Sequence, residues 1–93
     1  MIEQCDSTAQ TLKLLAHPQR LLILCHLSEG ERTVSDLEAV CQASQPQISQ
    51  FLTRMRAEGL IASRREGKYI FYAISDQRVL KLIRALHKIF CAS

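Results

Sequence analysis

Ninety-three residues allow one domain and no more, and a chain this short leaves much apolar surface near water. Because 47% of its residues are nonetheless hydrophobic, a second copy is expected to cover part of that surface. The formal charge of +3 lies in one place: residues 45–74 hold five bases (Arg54, Arg56, Arg64, Arg65, Lys68) against two acids, and the rest carries seven of each.

Residues 1–6 lack the basic and apolar regions of a secretory signal. The longest apolar run, residues 21–25, is too short to span a bilayer. The expectation is a cytoplasmic protein with no membrane partner, its four cysteines reduced at rest.

Asp6 or Ser7 is placed to cap a first helix running to Ala16, with Leu12, Leu14 and Leu15 as its apolar positions. His17-Pro18 interrupts it, since a residue before proline avoids the helical region. Pro18 opens a second helix to about Leu27, which Glu29-Gly30-Glu31 ends. Val34-Ser35 leads into a third helix over residues 36–42, with Leu37 and Val40 inward.

The fourth helix, residues 45–58, carries its own start and stop. Ser44 can cap free backbone N–H groups, Pro46 sits in the first turn, and Gly59 supplies a left-handed exit. Ile48, Phe51, Leu52 and Met55 form an apolar stripe. The other side presents Gln50, Thr53 and Arg54, flanked by Gln47 and Ser49, with Ser44 and Gln45 at the N-terminus. Amides and hydroxyls read base edges in a major groove, and arginine reaches guanine or phosphate. Taken by itself such a face is better read as a solvated surface helix, because polar outer faces are ordinary.

Its neighbours decide between the two. A short helix, a tight turn and a second helix with a polar outer side make a helix-turn-helix. Residues 61–65 and 68–74 read as two strands joined at Glu66-Gly67, with Arg64, Arg65 and Lys68 at the tip. A basic hairpin directly after a recognition helix is a wing that reaches phosphates or the minor groove. Ser75-Asp76 caps a last helix to about Cys91, whose Val79, Leu80, Leu82, Ile83, Leu86, Ile89 and Phe90 cover more than one stripe. The surplus favours a homodimer built on the first and last helices. The fold class is therefore mainly α with a small β-hairpin: a winged helix-turn-helix, residues 1–93 forming one DNA-binding domain, wing 61–74.

This order of elements resembles the ArsR/SmtB family of winged-helix repressors. Residues 14–24 (LLAHPQRLLIL) are similar to that family's early segment, and Val34-Ser35-Asp36-Leu37 to its third helix. Ser44-Gln45-Pro46 with Ser49-Gln50-Phe51-Leu52 resembles its recognition motif, and residues 56–61 (RAEGLI) its helix exit. Phe51 stands where the family usually has His; it falls on the apolar stripe, so packing is expected of it. The resemblance implies a dimer on an inverted-repeat operator, its two recognition helices about 34 Å apart, released by an inducer.

Many such relatives sense metals, but neither of two known ligand sets is complete here. One uses Cys-x-Cys on the third helix, where this chain has only Cys41; the other needs His two positions after Asp76, where Arg78 stands, leaving only His87. The expectation is no metal and no cofactor. Cys25 within ILCHL and Cys91 ending LHKIFC instead resemble the persulfide-responsive BigR/SqrR/HlyU branch, and their separation of 66 residues matches it. By that resemblance Cys25 and Cys91 are a dithiol pair that reactive sulfur or another oxidant joins by a disulfide or polysulfide bridge, loosening the grip on DNA.

Read from the residues alone, Cys25 is equally a small buried hydrophobe. Lys88 and His26 are sequence neighbours able to favour a thiolate. Cys5 reads as a mobile terminal thiol, and Cys41 as a buried spacer or a second reactive site. A metal- or metalloid-responsive repressor is the alternative within the fold. A thiol enzyme lacks any Cys-x-x-Cys or acid–base constellation. A protein-interaction module that has lost DNA binding is disfavoured by the concentrated charge.

Overall fold

The structure is a computed structural model and describes residues 1–91. Its elements are α1 (Ile2–Leu15), α2 (Pro18–Leu27), α3 (Val34–Val40), α4 (Gln45–Ala57), β1 (Ile61–Glu66), β2 (Tyr69–Ile74) and α5 (Gln77–Phe90). One core joins them. Ile23 and Leu24 of α2, Leu37 of α3, Ile48, Leu52 and Met55 of α4, and Ile83 of α5 are sealed from solvent, with Leu15, Leu27, Cys41, Leu60, Ile61 and Val79 around them.

Local chemistry sets most boundaries. Pro18 occupies the first turn of α2, and the His17 ring accepts the Gln19 N–H at 3.1 Å through Nδ1. The α4 exit is a Schellman turn: the Leu60 N–H reaches the Met55 carbonyl and the Gly59 N–H that of Arg56, both at 3.0 Å, with Gly59 at φ +79°. Leu60 is thereby buried and the chain turned into β1.

Several expected boundaries move. The first helix starts at Ile2, not at Asp6 or Ser7, because the hydroxyls of Ser7 and Thr11 bond back to the carbonyls of Gln4 and Ser7 within the helix instead of capping it. The third begins at Val34 and stops at Val40. Its cap is Thr33, whose Oγ1 accepts the Asp36 N–H at 3.1 Å while the Asp36 carboxylate accepts the Thr33 N–H at 3.0 Å. Val40, expected inward, is 47% exposed, because Leu37 and Cys41 take the core positions.

The hairpin is an antiparallel pair with Glu66 opposite Tyr69, so its turn is Gly67-Lys68 and Lys68 lies outside the strand. Gly67 has φ +61° and Lys68 does not have positive φ, which suits a two-residue turn with glycine first. On the outer edge of β2, Arg32 and Tyr72 exchange backbone hydrogen bonds of 3.1 and 2.8 Å, so the loop after α2 adds one rung to the sheet. In α5, Asp76 caps the first turn, Val79 and Ile83 enter the core, Leu80, Leu82 and Leu86 are half-buried, and Ile89 and Phe90 are exposed.

Candidate nucleic-acid interface and thiol cleft

The polar side of α4 is free to meet a partner. Gln45, Gln47, Gln50, Thr53 and Arg54 are exposed and Ser49 is half-buried, while Ile48, Leu52 and Met55 anchor the opposite side. Ser44 is exposed and caps the helix, its Oγ accepting the Gln47 N–H at 3.3 Å. Arg54 leans on Glu58 one turn later at 3.5 Å, a solvent-screened contact.

Phe51 packs against the core rim, with His17 at 5.0 Å ring to ring and the Arg20 guanidinium 5.5 Å from its centroid. Gln19 donates to the Gln42 carbonyl at 3.1 Å. These contacts brace the helix-turn-helix against α2.

The three basic residues of the wing differ in their surroundings. Arg65 is exposed and donates from Nε to the Gly67 carbonyl at 3.1 Å. Lys68 is exposed beside the Tyr69 ring, at 5.5 Å. Arg64 forks onto Glu31 at 2.7 and 2.9 Å, reaches Glu66 at 2.6 Å, and lies 4.8 Å from the Phe71 centroid. Both carboxylates hold its guanidinium protonated well above the ordinary range, and the same pairing holds Glu31 below the ordinary carboxylate range. Arg56, which sequence reasoning left out of the site, donates to Ser63 Oγ at 2.9 Å and ties α4 to the wing.

A second feature lies at the α2–α5 seam. Cys25 and Ser28 of the α2 end, with Glu29, face Arg84 and His87 of α5 across an open cleft of about 210 Å³. Cys25 is half-buried, and the Ser28 hydroxyl donates to its carbonyl at 2.6 Å. Cys91 caps the C-terminus of α5, its N–H on the His87 carbonyl at 2.9 Å, and is exposed. Burial pushes the Cys25 thiol above its ordinary pKa, and the neighbouring charges of Cys91 and then Glu29 add to the rise.

The basic residues lining the cleft come from α5. His26 leans toward Glu29 at 4.0 Å, whereas Arg84 and His87 line the cleft. Arg84, His87 and Cys91, three and four residues apart on α5, formed a legible stripe. Cys5 is exposed on α1, and Cys41 is buried, its thiol pushed up by burial. Among the described residues no three His, Cys, Asp or Glu side chains converge in a way that would hold a metal ion. Asp76 and Arg78 pair with each other at 3.1 Å.

A helix-turn-helix with an exposed polar second helix, followed by a basic hairpin, defines a winged-helix DNA-binding regulator rather than an enzyme. Residues 17–63 match the family model described as "Bacterial regulatory protein, arsR family". The biofilm growth-associated repressor of Agrobacterium fabrum (strain C58) is 44% identical over 92 residues, covering 99% of this chain and 79% of that protein. The crystal structure of the transcriptional repressor BigR from Xylella fastidiosa superimposes with a TM-score of 0.89 at 40% identity, covering 99% of this chain and 91% of that one. Reduced HlyU from Vibrio cholerae N16961 gives 0.90 at 35%, covering 97% and 96%. The chain belongs to the ArsR family of winged-helix transcriptional regulators. Among the described residues no helix is long and apolar enough to cross a membrane.

Proposed function

We propose that this chain is a repressor that grips an inverted-repeat operator as a homodimer and lets go when Cys25 and Cys91 are joined by reactive sulfur or another oxidant. The observation that carries the trigger is the meeting of Cys25 and the α5 end at one open cleft. On the DNA side, Ser44, Gln45, Gln47, Ser49, Gln50, Thr53 and Arg54 enter the major groove, and Arg65 and Lys68 reach flanking phosphates. Arg64, the third wing base, is engaged by its own carboxylates. Dimerisation is supported by the exposed Leu12, Leu22, Ile89 and Phe90, at 47, 38, 70 and 78%, too much bare apolar surface for so small a chain.

The trigger balances with a persulfide, R–S–S–H, as oxidant. The Cys25 thiolate attacks the terminal sulfur and expels R–S⁻, leaving Cys25–S–S–H; the proton Cys25 gave up ends on the leaving thiolate. The Cys91 thiolate then attacks the Cys25 sulfur, forms the Cys25–Cys91 disulfide and expels hydrosulfide. Two cysteine sulfurs are oxidised and one sulfane sulfur is reduced. Attack needs a thiolate, and the Arg84 guanidinium lining the cleft favours an anionic reagent there.

The bridge would tie the C-terminus of α2 to that of α5. As α2 braces the helix-turn-helix through His17 and Gln19, strain at this seam reaches the DNA-reading heads. Mass spectrometry after persulfide treatment, paired with an operator shift assay, tests the reading. A Cys25–Cys91 cross-link should accompany loss of the shifted band, and Cys25→Ser and Cys91→Ser should bind DNA but ignore persulfide. Release by zinc or cadmium with no effect of persulfide would make the protein a metal sensor instead.

A further inference from the structure

The wing carries three basic residues, and the register separates them. Side chains alternate across a strand, and cross-strand partners share a face. Ser63, Arg65, Ile70 and Tyr72 therefore share one face; Arg64, Glu66, Tyr69 and Phe71 share the other. Arg56 of α4 bonds Ser63, so the face holding Arg65 is the one tied to the recognition helix.

Arg64 starts on β1 and reaches past Phe71 of β2 to Glu31, beside the Arg32–Tyr72 rung on the outer edge of β2. Its guanidinium is met on one side by a bidentate carboxylate and on another by Glu66. Three of its five N–H donors are thereby taken by carboxylates, whose negative charge opposes an approaching phosphate.

We infer that Arg64 is a positioning residue, not a phosphate contact: with Glu31 it straps the wing to the loop that leaves α2, and so sets where Arg65 and Lys68 meet the DNA backbone. The strap needs the planar fork of arginine, because lysine cannot satisfy two carboxylate oxygens in that geometry. The loop continues from Ser28 and Glu29 of the thiol cleft, so the wing hangs from the same segment.

The test is operator affinity across a salt series, using fluorescence anisotropy and a duplex selected from a random pool by the wild-type protein. Replacing a phosphate contact lowers the salt slope by about 1. Arg65→Ala and Lys68→Ala should do so. Arg64→Ala should weaken binding by about 2- to 5-fold, the range of an exposed pair, with the slope unchanged, and Arg64→Lys should weaken it equally.

Glu31→Gln is the sharpest variant, because it removes a negative charge from the protein. Electrostatics alone would then tighten binding; loss of the strap weakens it, again with the slope unchanged, and adding Arg64→Ala should cost nothing further. Tighter binding by Glu31→Gln, a slope lowered in Arg64→Ala, full rescue by Arg64→Lys, or additive losses in the double variant would each overturn the assignment. If Arg64→Ala fails to fold, Glu31→Gln and Arg64→Lys still decide it.

Discussion

Cys25 shows how much a single side chain's surroundings decide. Its thiol is raised by burial, by the charge of Cys91 and by that of Glu29, so its thiolate is scarce near pH 7 and its reactivity climbs as pH rises past the ordinary thiol value of about 8.5. The folded state holds this proton more tightly than the unfolded chain. The associated stability is complete below the ordinary thiol value and is lost as pH rises through the raised one. Removing a cause of the shift should reverse part of it: in Cys91→Ser the pH midpoint of Cys25 alkylation should move down, whereas an unmoved midpoint would mean that the sulfurs do not sense each other. On the DNA side, Gln50 is exposed in mid-helix. Gln50→Ala should forfeit about 1–3 kcal/mol of preference for one base pair while leaving the salt slope intact; binding to operators varied at single positions measures this.

At the scale of the elements, caps and exits recur. Thr33 and Asp36 close a reciprocal box on a helix of seven residues, too short to stand by itself. Thr33→Ala should cost about 1 kcal/mol in urea unfolding, and because α3 holds Leu37 in the core the loss should fall on the whole domain. Backbone and hydroxyl donors of Thr33 hold the Asp36 carboxyl below its ordinary range, and Arg78 does the same for Asp76 at the start of α5. For a lowered carboxyl, the stability is present above the ordinary value of about 3.9 and is lost as pH falls through the lowered one. Acid titration of Asp36→Asn and Asp76→Asn should accordingly show shallower acid unfolding than the wild type, a result an unchanged curve would contradict.

Most elements were legible because their signals are local. Pro18, Ser44, Pro46, Gly59 and Asp76 mark ends through backbone geometry that each residue carries with it. The misreadings have equally local causes. Hydroxyls at Ser7 and Thr11 were free to bond backward within α1, and the acid completing the Thr33 box is Asp rather than the usual Glu. Glu66 paired across the hairpin and so pushed the turn one residue on.

The molecule leaves apolar surface on α1, α2 and α5 that no other described residue of one copy covers. Phe90→Asp or Ile89→Glu should shift sedimentation from twice the chain mass toward a single chain and weaken operator binding, since in the proposed dimer both heads engage together. For the wild type the melting temperature should rise with protein concentration; a concentration-independent melt would count against the dimer.

The sequence by itself determined the order of the elements, the basic stretch behind the recognition helix and the candidate thiols, because capping, periodicity and charge travel with neighbouring residues. Tertiary structure alone decided that Arg84 and His87 line a cleft with Cys25, that Val40 faces out, and that Arg64 belongs to Glu31. Those facts depend on which elements pack together and in what register, and interactions 33 and 59 residues apart along the chain leave no mark in any local window.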